Sequence, residues 1–373
     1  MRARNGFGLS SPQALAEFFP RLVAWQRAHG RSGLPWQHTQ DPYRVWLSEI
    51  MLQQTQVASV LQYYPRFLER FPNVQTLAAA TPDEVLALWS GLGYYSRARN
   101  LHRCAQAVVA EHGGQFPASA EALATLPGIG RSTAAAIAAF CFGERVSILD
   151  GNVKRVLTRL LAFEGDLASA TQEKVLWQQA QQLVPADASA PDMAAYTQGL
   201  MDLGASLCAR SQPQCLLCPV QPLCLAQAQG RPDEFPVKTR RLVRRAESWW
   251  LLVLVRPDGR LWLAPRPERG IWAGLQTFPV FASREELQQH TAGWGLPPEP
   301  EREHEPVRHA LTHRELTLHW LEWCVPEAPA SGADSLPAGL SSELRAGEGR
   351  WMTLPEALAC GLPAPIRAWL LQR

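Results

Sequence analysis

The stretch LPGIGRST, residues 126–133, decides the fold of the first half of the chain. Helical patterns flank it, so about residues 121–142 are predicted to form two helices joined by a hairpin whose glycines permit a tight turn. Backbone N–H groups at the start of the second helix then point outward, and with the helix dipole they can hold a phosphate group. A simple helix–helix turn without a ligand also fits. The candidate phosphate-binding residues of this turn are Gly128, Gly130, Arg131 and Ser132.

The sequence on both sides of this hairpin predicts an all-helical domain over residues 1–230. From about residue 10 to residue 228 the chain is rich in Ala, Leu and Gln, with apolar residues at helical spacing and helix starts such as the Thr-Pro-Asp-Glu of residues 81–84. Residues 231–245 contain prolines and mostly basic charges without clear periodicity. This composition predicts a linker.

A second, smaller domain is predicted over residues 246–373. Residues 249–255 and 260–264 have the pattern of two strands joined by an Asp-Gly turn, and residues 316–323 are a further strand candidate. Residues 326–349 are expected to be a loop. The predicted fold class is therefore multidomain, with an all-α helix-hairpin-helix domain followed by a smaller α+β domain.

Composition predicts a soluble globular protein, since the chain of 373 residues is 46% hydrophobic and 19% charged. Its formal net charge is only +2, so a partner as acidic as DNA would have to be held by local basic surfaces and backbone amides. No segment resembles a signal peptide or approaches the roughly 18 to 20 apolar residues of a membrane span. We therefore expect a cytoplasmic protein without a membrane partner.

Four of the eight cysteines form a compact C-x6-C-x2-C-x5-C cluster within residues 208–224. Four soft thiolates in one loop suit an iron–sulfur cluster or zinc. Structural zinc sites usually present two closely paired knuckles, whereas only the middle two cysteines are paired here, which favours a [4Fe-4S] cluster. Four unrelated thiols are the alternative, and structural support is the default role. The candidate ligands are Cys208, Cys215, Cys218 and Cys224.

Several motifs agree in order along the chain. The hairpin, Asp150 about 20 residues later and the four cysteines resemble the helix-hairpin-helix glycosylase superfamily that includes endonuclease III. Within it, SEIMLQQTQV (48–57), GLGYYSRAR (91–99) and LDGNVKR (149–155) closely resemble the A/G-specific adenine DNA glycosylase (MutY) family. The resemblance extends over essentially the whole chain, including the second domain.

The resemblance implies an enzyme of base-excision repair that hydrolyses the N-glycosidic bond of adenine. Its partner would be double-stranded DNA with adenine mispaired with 8-oxoguanine or guanine, its cofactor a [4Fe-4S] cluster, and its working form a monomer. Two other functions stay open: an endonuclease III-like glycosylase that is also an AP lyase, and a non-catalytic DNA-binding protein whose cluster senses redox state.

Glu49 is the candidate acid. Adenine is a poor leaving group, so it needs a proton, while negative charge must stabilise the cationic sugar; two carboxyls in different environments can divide these tasks. Apolar neighbours such as Trp46 and Ile50 should desolvate Glu49 and raise its pKa, although an exposed helix residue is the alternative. The resemblance implies that Glu49 protonates adenine and activates water.

Asp150 has two interpretations that are compatible with each other. Placed before GNVKRVL, it is an excellent helix N-cap. The resemblance implies that it stabilises an oxocarbenium-like state, with Asn152 as polar support.

An enzyme that acts on a base inside duplex DNA must extrude that base and fill the gap. The resemblance implies that Gln53, one helical turn after Glu49, and Tyr94 intercalate near the lesion; a surface amide and a core aromatic are the alternatives. Arg97, Arg99 and Arg103 could meet phosphates or form a solvated helix face.

Lysine chemistry separates the superfamily's two reaction types. Bifunctional relatives carry a lysine in the hairpin, where this chain has Ser132, and a hydroxyl cannot form an imine with an abasic sugar. A monofunctional glycosylase is therefore expected. Lys154 could form an imine with the abasic sugar that is trapped slowly, although a charge on the helix surface is the favoured interpretation.

The second domain resembles the Nudix-like domain of the same family. Gln276, Gln288 and Gln289 stand at three glutamate positions, so magnesium-dependent phosphohydrolysis is not expected. Family members detect 8-oxoguanine with a Phe-Ser-His loop, where this chain has Leu311, Thr312 and His313. The resemblance implies that Thr312 and His313 contact the lesion, while a hairpin loop without a ligand is the alternative.

Overall fold

A computed structural model describes residues 12–239, 243–325 and 349–373. Contacts divide the chain into two compact units, Met1–Ala78 with Arg103–Arg241, and Ala79–His102 with Leu242–Arg373. The loop expected at residues 326–349 lies outside the described residues except for Gly349. No helix in the described ranges is long and apolar enough to cross a bilayer.

The first part of the chain is helical, as the sequence predicted. The helices are α1 (Pro12–His29), α2 (Pro42–Leu52), α3 (Val57–Arg70), α4 (Val74–Ala79), α5 (Pro82–Trp89), α6 (Ser96–His112), α7 (Ala120–Leu123), α8 (Arg131–Phe142), α9 (Gly151–Leu160), α10 (Ala170–Gln182), α11 (Ala190–Ala205) and α12 (Leu225–Ala228). Short 3-10 turns cover Cys215–Leu217, Gln221–Leu223 and Pro232–Glu234.

The core of the first unit forms where α1, α8, α9, α10 and α11 meet. Helix α8 carries a run of small residues, Ala134 to Ala136, all buried, which lets neighbouring helices approach closely. It ends at Gly143, whose φ of 66° is the left-handed conformation that glycine adopts readily. The segment between α8 and α9 runs through this core, and Asp150 follows it at the start of α9.

The second unit contains a seven-stranded sheet. Its strands are β1 (Arg245–Val255), β2 (Leu261–Pro265), β3 (Gln276–Thr277), β4 (Val280–Phe281), β5 (Arg302–Ala310), β6 (Arg314–Cys324) and β7 (Arg350–Met352). The main order is β3-β2-β1-β6-β5, with β4 beside β1 and β7 beside β2; only the β1–β6 pair is parallel. Helices α13 (Arg284–Gly293), α14 (Leu354–Leu358) and α15 (Ala364–Leu370) complete the unit. All three predicted strands are present, with shifted ends.

Much of the segment expected as a linker packs on the first unit. Phe235 is 2% exposed, the Leu167 N–H donates to the Val237 carbonyl at 3.1 Å, and Arg159 Nε donates to the Pro232 carbonyl at 2.8 Å. The segment lacks periodicity because single residues, rather than one face of an element, provide its contacts. Residues 79–102 group with the second unit, although their sequence neighbours on both sides belong to the first.

Candidate active site

The hairpin presents an exposed backbone turn. Gly128 has φ 76°, which disfavours a side chain, and Gly130 is the N-cap of α8. The Arg131 guanidinium lies over the ring of Trp177 at 4.1 Å from its centroid. The Ser132 hydroxyl accepts the backbone N–H of Leu149 at 3.0 Å, so it binds the segment that leads to Asp150.

One cleft of the first unit contains most of the predicted catalytic residues. Its volume is about 1780 Å³, larger than the roughly 300–1,000 Å³ of ordinary small-ligand pockets. It is therefore large enough to admit a base together with its flanking backbone. The predicted residues that line it are Glu49, Gln53, Ser132, Asp150 and Asn152.

Glu49 faces this cleft from α2, a helix that begins with Asp41 as N-cap and Pro42 in its first turn. Its neighbours Trp46 and Ile50 are buried. Burial, and secondarily the negative charge of Asp150, raise the pKa of Glu49 from its usual value near 4.5 to about 8. The side chain is thus a neutral acid at neutral pH and can donate a proton into the cleft.

Asp150 is the N-cap of α9, and its Oδ1 accepts the Val153 N–H at 2.7 Å. The capping interpretation is therefore confirmed. Capping does not remove Asp150 from the cleft, which it lines together with Glu49, and its charge acts on the pKa of Glu49. The cleft consequently holds two carboxyl groups that interact electrostatically, one of which is kept protonated.

Asn152 is held by Arg155. Its Oδ1 accepts a hydrogen bond from Arg155 Nη2 at 3.0 Å, and the same nitrogen donates to the Gly204 carbonyl at 2.7 Å. Arg155 Nε donates to the Cys208 carbonyl at 2.9 Å. A single guanidinium therefore connects the cleft with the first cysteine of the four-cysteine loop.

Sequence reasoning missed a polar cluster at the same cleft, in which the buried Asp202 holds Arg31 and Gln198. Asp202, 1% exposed, accepts Arg31 Nε at 2.7 Å and Gln198 Nε2 at 2.8 Å. Both Arg31 and Gln198 line the cleft. The available signal was Gln198 and Asp202 at i and i+4 on a largely apolar helix, since an aspartate on a buried face needs a partner.

Gln53 lies where α2 ends, and its Nε2 donates to the Thr133 hydroxyl at 3.2 Å. The next residue, Gln54, has φ 56°, a left-handed conformation that is uncommon outside glycine. Both line the cleft. The strained turn thus fixes the amide of Gln53 at the cleft wall.

The other predicted DNA-contacting residues, Tyr94, Thr312 and His313, lie in the second unit. Tyr94 is 43% exposed, so the core-aromatic alternative is wrong, and its hydroxyl shares a 2.9 Å hydrogen bond with the Thr312 hydroxyl. Thr312 and His313 form the tip of the β5–β6 hairpin, where the Leu311 N–H donates to the Arg314 carbonyl at 2.7 Å.

Arg97 differs from both sequence interpretations. Arg97 is 8% exposed and donates to the Leu92 and Gly93 carbonyls, while Arg99 Nη1 donates to the Ala273 carbonyl at 2.6 Å. Arg97 therefore neither meets solvent nor stands available to a phosphate, because its guanidinium is buried against its own loop.

The four predicted metal ligands line one cavity in the first unit, and residues of α9 and α11 line it with them. None of them is in a disulfide, and Arg159 Nη1 donates to Cys208 Sγ at 3.4 Å. Burial, reinforced by the other three thiols, raises the pKa of Cys218 to about 12. Across the described residues, no three His, Cys, Asp or Glu side chains converge on a point that could hold one metal ion.

Two family models match the chain. A model described as HhH-GPD superfamily base excision DNA repair protein matches residues 47–185, and a NUDIX domain model matches residues 250–372. Among solved structures, that of a thermostable thymine-DNA glycosylase is similar with a TM-score of 0.51 and 27% identity, covering 58% of this chain and 98% of that chain. This similarity supports the helical fold of the first unit.

Curated relatives extend over both units. The adenine DNA glycosylase of Buchnera aphidicola subsp. Acyrthosiphon pisum is 39% identical over 270 residues, which cover 72% of this chain and 75% of the relative. The adenine DNA glycosylase of Mus musculus is 36% identical over 399 residues, with 91% of this chain and 74% of the relative covered. Because the identity is this high over most of both chains, the protein belongs to the adenine DNA glycosylase family.

Proposed function

We propose that the protein is a monofunctional glycosylase of base-excision repair that releases adenine mispaired with 8-oxoguanine or guanine in double-stranded DNA. The observation that carries the proposal is the pair of carboxyls in one cleft, with the pKa of Glu49 raised to about 8 and Asp150 beside it. This division into a proton donor and a charge stabiliser is what departure of a neutral purine requires.

The reaction proceeds in two stages. Glu49 gives its proton to a ring nitrogen of the extruded adenine, and the N-glycosidic bond breaks with its electron pair leaving on the base. The carboxylate of Asp150 stabilises the positive charge that develops on the sugar. Glu49, now ionised, accepts a proton from a water molecule while the oxygen of that water bonds to the anomeric carbon. The products are free adenine and an abasic site.

Arg31 and Gln198 hold the extruded base. Both line the cleft and are fixed by the buried Asp202, so their remaining donor and acceptor atoms are preorganised toward a purine edge. Asn152, held by Arg155, supports Asp150 from the first turn of the same helix. The exposed amides at Gly128, Gly130, Arg131 and Ser132 bind a DNA phosphate beside the lesion.

Gln53 of the first unit and Tyr94 of the second unit each insert into the base stack of the DNA. Each side chain is fixed before DNA arrives, Gln53 by Thr133 and Tyr94 by Thr312. The hydroxyl of Thr312 and the imidazole of His313 contact 8-oxoguanine. Since Leu311 stands where the family has an aromatic residue, these polar contacts contribute more of the selectivity than stacking does.

Cys208, Cys215, Cys218 and Cys224 fit a [4Fe-4S] cluster. They are four soft donors that line one cavity, and four thiolates in one loop are a ligand set that an iron–sulfur cluster takes. When bound, the cluster supplies a cross-link that orders residues 208–224. Arg159 neutralises part of its thiolate charge. Iron and sulfide analysis with an absorbance spectrum tests this assignment.

The protein acts as a monomer on its duplex. Single-turnover release of free adenine from a duplex with adenine opposite 8-oxoguanine tests the function, with Glu49→Gln beside the parent. We expect loss of release in Glu49→Gln and retention in Glu69→Gln, an exposed glutamate on α3. Equal release by Glu49→Gln and the parent, or none from either, would contradict the proposal. Strong covalent capture of the parent by borohydride on abasic DNA would favour the lyase alternative.

A further inference from the structure

We propose that Arg97 is a positioning residue that holds Tyr94 ready to enter the DNA, and that it thereby sets the affinity for the lesion pair. The inference rests on the proposed function of Tyr94. The guanidinium of Arg97 is buried between two rings, at 5.1 Å from the Trp89 centroid and 5.6 Å from the Tyr94 centroid. Trp89 is fully buried whereas Tyr94 is exposed, so Arg97 connects the exposed ring to the core.

The loop that carries Tyr94 has an unfavourable backbone. Gly91 and Gly93 have φ 107° and 70°, and Tyr94 itself has φ 48°. The left-handed region is unfavourable for a residue with a Cβ, because the Cβ comes too close to the following carbonyl oxygen. Such a conformation persists only where neighbouring contacts enforce it.

Arg97 provides those contacts from the first turn of α6. Its Nη2 donates to the carbonyls of Leu92 and Gly93, both at 3.1 Å, and its backbone N–H donates to the Tyr94 carbonyl at 2.9 Å. Trp89 Nε1 also donates to the Gly93 carbonyl at 3.1 Å. Hydrogen bonds from a charged donor are about twice as strong as neutral ones, so the fork of Arg97 is the main clamp on this loop.

The charge of Arg97 also acts on the ring. Burial lowers the pKa of Arg97 to about 10, so the group remains a cation at neutral pH. A cation over an aromatic face is attracted to it, most strongly where water is excluded. Together with the Thr312 hydroxyl at the other end of the side chain, Arg97 removes most of the freedom of Tyr94 before DNA binds.

This arrangement predicts a separation of binding from chemistry. The Arg97 side chain contacts the loop and not the reacting atoms, so its removal should weaken capture of the lesion and leave bond cleavage nearly unchanged. For Arg97→Met, which keeps length but loses charge and donors, we expect about a tenfold rise in Kd for the lesion duplex, equivalent to about 1.4 kcal/mol. Single-turnover cleavage at saturating protein should change less than about threefold. Arg97→Lys should recover part of the affinity.

The experiment is a double-mutant cycle with full-length protein. The variants are Arg97→Met, Tyr94→Ala and the combination, with Arg21→Met as the matched control on an exposed helix face. The probe is a duplex with 8-oxoguanine opposite adenine on a 2′-fluorinated sugar, which resists cleavage, and a 2-aminopurine next to the lesion to report unstacking by the inserted ring. Thermal unfolding of each variant checks that it folds.

We expect Arg97→Met to raise Kd and reduce the 2-aminopurine signal in the parent background, and to change neither in the Tyr94→Ala background. Additive losses in the two backgrounds, or unchanged binding by Arg97→Met, would overturn the proposal. If Arg97→Met fails to fold, Arg97→Lys, which keeps the charge but cannot present a two-nitrogen fork to the Leu92 and Gly93 carbonyls, carries the same cycle. Failure of the parent to bind the lesion duplex tightly would instead contradict the proposed function itself.

Discussion

The hydroxyl oxygen of Ser132 accepts a hydrogen bond from the backbone N–H of Leu149 at 3.0 Å. Leu149 is buried and immediately precedes Asp150, so this bond connects the start of the hairpin helix with the residue that caps α9. The family resemblance of the sequence implies that bifunctional relatives carry lysine at the position of Ser132. At this position the hydroxyl has a structural role in addition to being unable to form an imine.

Ser132→Ala should therefore slow the reaction. The substitution leaves the Leu149 N–H without its acceptor in a buried place, which costs about 1–3 kcal/mol of stability, and it frees the backbone before Asp150. We expect about a tenfold lower single-turnover rate of adenine release and a lower urea midpoint. Ser59→Ala, on the exposed side of α3, is the control. An unchanged rate would show that Leu149 does not need this bond to place Asp150.

The pH dependence of the rate should report the protonation of Glu49. Its pKa is raised to about 8, so the carboxyl holds its proton below that pH and loses it above. The single-turnover rate should consequently be flat near neutrality and fall about tenfold per pH unit well above pH 8. The measurement is adenine release from pH 6 to 10 with saturating protein. A rate that already falls about tenfold per pH unit from pH 6 would contradict the raised pKa of Glu49.

Glu49 should also limit stability above neutral pH. Its pKa in the folded protein is about 8, above its usual value near 4.5, so its stabilising protonation is complete below about pH 4.5 and lost as the pH rises through 8. Glu49→Gln should stabilise the protein at pH 8.5 by up to a few kcal/mol, at about 1.4 kcal/mol per pKa unit, and hardly at pH 4.5. Urea unfolding at both pH values measures this. Equal stability of the variant and the parent at pH 8.5 would contradict it.

Local patterns in the sequence were enough to predict one part of the site. The shielding of Glu49 follows from the apolar residues around it in one helix, and the capping by Asp150 follows from the residue type at a helix start. In both cases the structure agrees because the interactions are within a few residues.

Contacts between distant parts of the chain could not be predicted in this way. Arg31 meets Asp202 across a separation of 171 residues; the i, i+4 spacing of Gln198 and Asp202 marks the aspartate, but no local pattern identifies Arg31 as its partner. Phe235 lies in a segment whose prolines indicate a linker, yet it is buried. Its burial comes from contact with the rest of the first unit, which no pattern within the segment can indicate. Arg97 has the polar character of a surface residue, and its burial depends on the Trp89 ring and on the carbonyls of its own loop.

Gly204 should not tolerate a side chain. A Cβ at this position would lie 2.8 Å from the Asn152 Cβ and 3.2 Å from its backbone carbon and oxygen, so the start of α9 would have to move. Overpacking of this kind costs about 1–3 kcal/mol and would displace the side chain beside Asp150. We expect Gly204→Ala to lower both the unfolding midpoint and the rate of adenine release.

Gly199→Ala is the matched control on the same helix. There a Cβ would meet the side chains of Leu22 and Gln26 at 3.1 Å and 3.2 Å, which can shift by the few tenths of an ångström required. It should retain most of the activity. Equal losses in the two variants would show that general packing of α11, rather than the contact with Asn152, is responsible.

Lys154 should become trappable when Glu173 is removed. Its Nζ is paired with Glu173 Oε1 at 2.7 Å, so the amine is directed toward α10. Lysine side chains on a helix lean toward the N-terminus, which for Lys154 is the turn that begins at Asp150. With Glu173→Gln the amine is free to turn toward Asp150. The deprotonated amine can then add to the aldehyde of an abasic sugar, and loss of water gives an imine. Borohydride capture on abasic DNA, prepared by removing uracil from a duplex, should rise several-fold above the weak capture of the parent. Glu173→Gln combined with Lys154→Arg is the control, because a guanidinium forms no such imine, and capture that persists in this double variant would assign the adduct to another amine.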